Sequence, residues 1–211
     1  ARVTAANPAP VELKFEKVYM PCLLLSKKRY VGMAWEEEGQ AEAAFDAKGI
    51  ETVRRDQCPA VARLLEATLR RLFAAPDLSA LKAFVQGQWA RMLAGRGDVR
   101  DYVFAKEVRL GSYRPGAPPP PAALVATKAM ARDPRAAPQY GARVPYVVVA
   151  GPPGARLMDL VAAPAELARR EGLRLHGLYY VAKQALPALA RALSLVGADL
   201  RAWLAELPRA A

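Results

Sequence analysis

The stretch Lys48-Gly49-Ile50-Glu51-Thr52-Val53-Arg54-Arg55-Asp56, followed closely by Pro59, separates two kinds of sequence. Before it, apolar and polar residues alternate, as in Leu13–Tyr19, which predicts extended chain. After it, the apolar spacing is helical, and Pro59 suits the first turn of a helix. Because strand-like and helix-like segments are segregated rather than alternating, we expect an α+β fold.

Residues 1–58 contain two predicted strands, Val11–Leu25 and Arg29–Trp35. The polar residues 26–28 between them favour a tight turn and hence a β-hairpin. We expect the rest of the chain, residues 59–211, to be mainly helical with a few short strands.

The helical part begins with two amphipathic helices, the second capped by Asp77 or Ser79. Short strands are predicted at Tyr102–Val108 and Arg143–Ala150, a short helix at Ala122–Ala131, a helical stretch interrupted by Pro164 at Leu157–Arg170, and a long helix at Leu178–Val196. Pro187 should kink or break that last helix, and Gly197 is a suitable stop signal.

The positive charge is unevenly distributed along the 211 residues, which carry a formal net charge of +11. Residues 1–58 hold nine basic and nine acidic side chains, whereas residues 59–211 hold 22 basic and 11 acidic ones. A basic surface attracts phosphates and nucleic acid above all. The richness in Ala, Arg and Pro also fits a compositional bias, so charge alone leaves both explanations open.

Several chemistries are excluded or disfavoured. Cys22 and Cys58 are too few for a disulfide framework or a cysteine-based zinc site. His176 stands alone and is expected to be structural. The loop Gly151-Pro152-Pro153-Gly154 lacks the amides that a phosphate cradle needs. The apolar runs are far shorter than the roughly 20 residues of a membrane helix. The chain by itself does not read as a complete enzyme.

Two clusters of cations are the most informative motifs. Lys27-Lys28-Arg29-Tyr30 puts three cations and an aromatic ring at the predicted turn, where they could reach phosphates and the minor groove, although a solvated turn is the simpler alternative. In the second cluster, Gly49 allows close backbone approach beside Lys48. An ion pair between Arg55 and Asp56 could fix the junction to the first helix.

These stretches occur in order with five further motifs along the chain. The full set is Leu13–Tyr19, Lys27–Tyr30, Lys48–Asp56, Phe104–Glu107, Gly141–Val147, Tyr179-Tyr180 and Glu206–Arg209. Together they resemble the family B DNA polymerases, and within that family the branch that performs translesion synthesis. The resemblance implies that residues 1–58 are the C-terminal part of the palm subdomain and residues 59–211 the thumb subdomain.

The resemblance also implies which residues touch DNA. Lys27, Lys28 and Arg29 would contact the nascent duplex, with Tyr30 near the primer end. Lys48 and Gly49 would lie at the primer backbone. The remaining implied DNA-binding residues are Arg54 and Arg55, of which one is expected to be structural, and the thumb residues Lys106 and Arg143.

The family's catalytic machinery is not encoded in these 211 residues. The Tyr-Gly-Asp-Thr-Asp-Ser motif, whose aspartates hold Mg²⁺ in such polymerases, is missing from the sequence. We therefore expect a fragment of a DNA-directed DNA polymerase that is inactive alone and binds no metal itself. A Cys-rich tail with zinc or an iron–sulfur cluster would lie beyond Ala211.

The partners implied for the parent enzyme are primer-template duplex DNA, an incoming dNTP, accessory subunits and a sliding clamp, in the nucleus and away from membranes. Two alternatives remain open. One is a free-standing, non-catalytic basic module that binds nucleic acid. The other is an interaction scaffold whose charge is compositional.

Overall fold

A computed structural model describes residues 2–114 and 116–208. The chain divides into two compact units, Ala1–Ile50 and Glu51–Ala211. The first contains a three-stranded sheet, and the second combines helices with a second small sheet. The predicted α+β class is therefore confirmed. Arg209, which ends the last of the sequence motifs, lies outside the described residues.

The first unit is an antiparallel sheet in the order β1-β2-β3. Its elements are the short helix α1 (Arg2–Ala5) and the strands β1 (Val18–Ser26), β2 (Arg29–Trp35) and β3 (Ala44–Lys48). The central strand β2 supplies the buried residues Val31 and Ala34, and Ala47 of β3 and the following Ile50 complete the core.

The predicted hairpin is confirmed, but its first strand is shorter than expected and a third strand is present. Val18 pairs with Trp35, the last residue of β2, so the residues before Val18 have no partner strand to extend the ladder. The sequence prediction missed β3 because Phe45 is its single large apolar residue, too weak a pattern to indicate a strand.

The second unit is mainly helical. Its helices are α2 (Pro59–Ala74), α3 (Leu78–Leu93), α4 (Pro121–Met130), α5 (Pro164–Arg169), α6 (Gly177–Tyr179), α7 (Leu186–Leu193) and α8 (Leu200–Ala205). Single 3₁₀ turns lie at Val99–Tyr102, Pro134–Ala136, Leu157–Leu160 and Ser194–Val196. The strands β4 (Phe104–Glu107), β5 (Arg143–Val148) and β6 (Val161–Ala162) form an antiparallel sheet in that order.

Local sequence signals account for most helix ends. Pro59 occupies the first turn of α2, as predicted. Asp77 caps α3 by accepting hydrogen bonds from the backbone N–H groups of Ser79 and Ala80 at 2.8 and 3.1 Å, which confirms the predicted cap. Before Pro164, however, residues 157–162 were expected to be helical and instead form a 3₁₀ turn and β6.

The last long helical stretch changes type next to Pro187. Residues Tyr180–Ala185 form a π-helical segment, and α7 starts at Leu186 with Pro187 in its first turn. The helical backbone continues through this boundary, where the N–H of Leu186 donates to the carbonyl of Val181. Gly197, with φ of +82°, ends the segment where predicted.

A buried aromatic group joins the second sheet to the last helices. The Phe104 ring stacks on those of Tyr146 and Tyr180, with centroids 5.3 and 5.6 Å apart. The Tyr180 hydroxyl donates to the carbonyl of Tyr102 at 2.8 Å and accepts from the N–H of Val148 at 2.9 Å. Burial raises the pKa of this hydroxyl, so it remains a neutral donor.

Two smaller findings concern chemistry that the sequence left open. The ring nitrogen Nδ1 of His176 accepts a hydrogen bond from the N–H of Tyr179 at 3.3 Å, a capping role that agrees with the structural role predicted for it. Within the described ranges, no helix combines the length and apolarity needed to span a bilayer.

Candidate nucleic-acid interface

The turn of the β1–β2 hairpin presents two lysines to solvent. Ser26 pairs with Arg29, so Lys27 and Lys28 form the connection, and both are exposed. Lys28 adopts φ of +60°, in the left-handed region of backbone conformation that residues other than glycine rarely occupy. The unfavourable backbone conformation therefore occurs at a residue whose charged side chain is exposed.

Gly49 allows the end of β3 to approach this turn. It has φ of +67°, and a Cβ added at this position would overlap the carbonyl oxygen of Lys28. The register places Tyr30 opposite Lys48. The structure thus gathers the six predicted residues of the first unit at one end of its sheet: Lys27, Lys28, Arg29, Tyr30, Lys48 and Gly49.

Asp46 organises the side chains behind this end of the sheet. Its Oδ2 accepts hydrogen bonds from the Tyr19 hydroxyl at 2.6 Å and from Lys17 Nζ at 3.1 Å, and its Oδ1 lies 3.2 Å from Lys48 Nζ. These donors, Tyr19 first, lower the pKa of Asp46 to about 2. Asp46 was not singled out from the sequence, where an aspartate in a weak strand gives no distinctive signal.

Tyr30 has a packing role as well as a predicted binding role. Its ring meets that of Tyr19 edge to face, with centroids 5.6 Å apart, and the residue is half-buried. Because Tyr19 is also bonded to Asp46, this contact links Tyr30 to the same carboxylate. The orientation of Tyr30 therefore depends on Tyr19 and Asp46, which lie outside the Lys27–Tyr30 motif.

The loop before α2 carries the second group of predicted residues. The guanidinium of Arg54 makes two hydrogen bonds to the Asp56 carboxylate, at 2.9 and 2.8 Å, and lowers the pKa of that carboxyl. The predicted ion pair between Arg55 and Asp56 is therefore wrong, because Arg54 occupies the carboxylate. Arg55 is exposed.

Arg143 ties this loop to the second sheet. Its Nη1 donates to the carbonyl of Arg55 at 3.2 Å and to that of Ala105 at 2.7 Å. Lys106 is exposed on the neighbouring strand, and its charge contributes to the lowered pKa of Asp56. The four predicted residues of the second unit, Arg54, Arg55, Lys106 and Arg143, thus belong to one local network.

This arrangement provides cations and backbone for contact with phosphates but no metal centre. Among residues 2–114 and 116–208, no group of three or more His, Cys, Asp or Glu side chains could hold a metal ion. Asp46 and Asp56, which are bonded to the predicted residues Lys48 and Arg54, are already paired with lysine or arginine side chains. The described residues therefore do not fit the Mg²⁺ that the resemblance implies for the parent enzyme.

Comparison with known proteins identifies the class. The family model described as "DNA polymerase family B" matches residues 1–196. The chain therefore belongs to DNA polymerase family B, as the motifs predicted.

Individual relatives refine this result. The chain is 54% identical over 210 residues to the DNA polymerase zeta catalytic subunit of Arabidopsis thaliana and 51% identical over 208 residues to that of Homo sapiens, in each case over 98% of this chain. It is 40% identical to the DNA polymerase delta catalytic subunit of Bos taurus over 72% of this chain. The zeta similarity agrees with the branch indicated by the motifs.

The chain spans only a small part of these relatives: 11% of the Arabidopsis protein, 7% of the human protein and 14% of the bovine one. A solved structure, the family B DNA polymerase from the archaeon Pyrobaculum calidifontis, aligns with a TM-score of 0.60 and 20% identity. The alignment includes 84% of this chain and 22% of the archaeal chain. At 20% identity, this similarity supports the fold alone.

Proposed function

We propose that this chain is the part of a zeta-like DNA-directed DNA polymerase that grips primer-template DNA, formed by the end of the palm and the thumb. Membership of DNA polymerase family B carries this proposal. The gathering of six predicted residues at one end of the first sheet supports it independently. Its share of the mechanism is to hold the duplex so that the reacting groups are aligned.

In the first unit, Lys27 and Lys28 contact duplex phosphates, because they project from the turn with exposed side chains. Gly49 and Lys48 meet the primer backbone, and the absence of a side chain at Gly49 keeps this strand end packed against the Lys28 turn. Asp46 holds the Lys48 ammonium in place at 3.2 Å. Arg29 and Tyr30 complete the surface near the primer end.

In the second unit, Arg55 and Lys106 are the proposed phosphate contacts. Arg54 is the structural arginine of the pair, since Asp56 already satisfies its guanidinium through two hydrogen bonds. Arg143 holds the backbone of Arg55 with one nitrogen. Because its side chain is otherwise exposed, it can also meet a phosphate.

The parent protein is proposed to add deoxynucleotides to a primer 3′ end in translesion synthesis and repair within the nucleus. Family B polymerases generally use Mg²⁺, and the ligands for a two-metal transfer would belong to parts of the full-length protein other than the described residues. The incoming dNTP, the accessory subunits, the sliding clamp and a Cys-rich tail with zinc or an iron–sulfur cluster belong to the same proposal.

DNA binding as a function of salt tests the grip. The 211-residue chain should bind primer-template duplex, measured by fluorescence anisotropy, with an affinity that falls steeply with salt. Replacing Lys27→Ala and Lys28→Ala should reduce the slope of log affinity against log salt by about 1.8, since each lost phosphate contact removes about 0.9. The control pair Lys14→Ala and Lys183→Ala, also exposed lysines, should leave the slope unchanged.

Affinity insensitive to both salt and the hairpin variant would contradict DNA gripping and leave only the scaffold alternative. Nucleotide incorporation by the 211 residues alone would contradict the conclusion that they lack the catalytic aspartates of a polymerase. The sequence of the full-length gene distinguishes the polymerase proposal from the alternative of a free-standing basic module. Only a polymerase requires paired-aspartate motifs elsewhere in its sequence.

A further inference from the structure

A groove between α2 and α3 concentrates arginine side chains that the proposed DNA contacts do not use. Its volume is about 360 Å³, and four arginines line it: Arg63 and Arg71 from α2, Arg91 from α3, and Arg96 just after α3. Asp101 is the one carboxylate among the lining residues. The groove therefore carries an excess of positive charge within the second unit.

Only part of this charge is neutralised by the protein itself. Arg63 forms an ion pair with Asp101. The guanidinium of Arg71 lies 3.7 Å from the centre of the Phe84 ring and donates to the carbonyl of Ala67. Within the described part of the chain, Arg91 and Arg96 have no carboxylate within 4.0 Å. Two guanidinium groups thus remain available to an anionic ligand.

The floor of the groove indicates which anion fits. Leu64, Ala67 and Met92 contribute apolar surface between the charged side chains. Single-stranded nucleic acid is usually held by bases stacked on open aromatic faces. Here Arg71 already covers the Phe84 ring, and Tyr102 is buried. An apolar floor with an arginine rim complements an acidic peptide better than a phosphodiester backbone.

We propose that this groove binds an acidic segment of a partner protein. Carboxylates of that segment pair with Arg91 and Arg96, as Asp101 pairs with Arg63 in the same groove, and its apolar side chains rest on Ala67 and Met92. Guanidinium groups bind carboxylates through paired hydrogen bonds, which gives geometry as well as charge. Arginine clusters recognise acidic motifs in this way in other proteins.

The first test uses the 211-residue chain and a fluorescent peptide of Glu, Asp and Leu, with a Lys-for-acid version as the control peptide. The variant Arg91→Glu with Arg96→Glu should bind the acidic peptide roughly tenfold more weakly, since attraction becomes repulsion at two sites. The matched variant Arg169→Glu with Arg174→Glu makes the same change in charge at exposed arginines outside the groove. It should bind normally, and equal weakening in both variants would overturn the proposal.

A second variant fills the groove without altering its charge. Ala67→Trp should abolish peptide binding while the affinity for duplex DNA stays within twofold of the parent chain, because the DNA contacts proposed above lie elsewhere. Far-UV circular dichroism checks that each variant is folded. If Ala67→Trp leaves peptide binding intact while the Arg91 and Arg96 changes weaken DNA binding, the groove is a nucleic-acid surface and the proposal fails.

Discussion

The two units hold their predicted cations by different means. At the sheet end of the first unit, a single half-buried carboxylate, Asp46, bonds to Lys17, Tyr19 and Lys48 together. In the loop before α2, Asp56 pairs with one arginine, and Arg143 binds backbone carbonyls instead of a carboxylate. Both arrangements contain a carboxylate with a lowered pKa, but the second also relies on hydrogen bonds from Arg143 to backbone carbonyls, which do not depend on a carboxylate.

The largest effect expected from this comparison is at Gly49. Gly49→Ala should destabilise the first unit by about 2–4 kcal/mol, because the new Cβ overlaps the Lys28 carbonyl and φ is positive. Urea unfolding measures the change. Gly39→Ala is the matched control, since Gly39 has φ of +84° but nothing within 4 Å of an added Cβ, and it should cost only about 1–2 kcal/mol. Equal losses would refute the close packing of turn and strand end.

A smaller, pH-dependent effect is expected at Asp46. Its pKa is lowered in the folded chain from 3.8 to about 2, so its ionised form stabilises the fold above pH 4, and this contribution is lost as pH falls towards 2. Asp46→Asn should therefore cost about 1 kcal/mol at pH 7, and the difference from the parent should shrink between pH 4 and 2.

The matched substitution is Asp159→Asn, at an exposed carboxylate paired with Arg156. It should have little effect on stability at either pH. A constant difference between the Asp46 variant and the parent from pH 7 to pH 2, followed by urea unfolding, would mean that Asp46 acts through packing rather than charge.

The smallest effect separates the two neighbouring arginines. Arg55→Ala should lower the salt slope of duplex binding by about 0.9, as expected for one lost phosphate contact. Arg54→Ala should leave the slope unchanged, because Asp56 already engages that guanidinium. If Arg54 rather than Arg55 changes the slope, the assignment of the structural member of the pair is reversed.

Much of the fold was predictable wherever the signal is local. Pro59, Asp77 and the polar residues 26–28 act on the backbone of their immediate neighbours, and each ends or begins an element where predicted. The strand β3 was not predictable in this way, because its stability comes from pairing with β2 rather than from its own apolar pattern. The same applies to β6, two residues that pair with β5.

The candidate site shows the same division. The motifs predicted the cations, but the partners of these side chains follow from the three-dimensional structure. The sequence places Asp56 next to Arg55, yet the side chain that reaches it is that of Arg54. Asp46 was missed because two of its three donors, Lys17 and Tyr19, lie 29 and 27 residues before it in the chain, and only Lys48 is in the same strand.

Lys28 has a consequence for how this protein could be stabilised. Among the described residues it is the one with a side chain that adopts positive φ. Glycine would relieve that conformation at no steric cost. A sequence selected for stability alone would therefore place glycine at this turn and remove a charge from the surface proposed to meet DNA. Lysine at this position supplies charge at the expense of stability, so a stabilising substitution there should be assessed by its effect on DNA affinity before its effect on melting temperature.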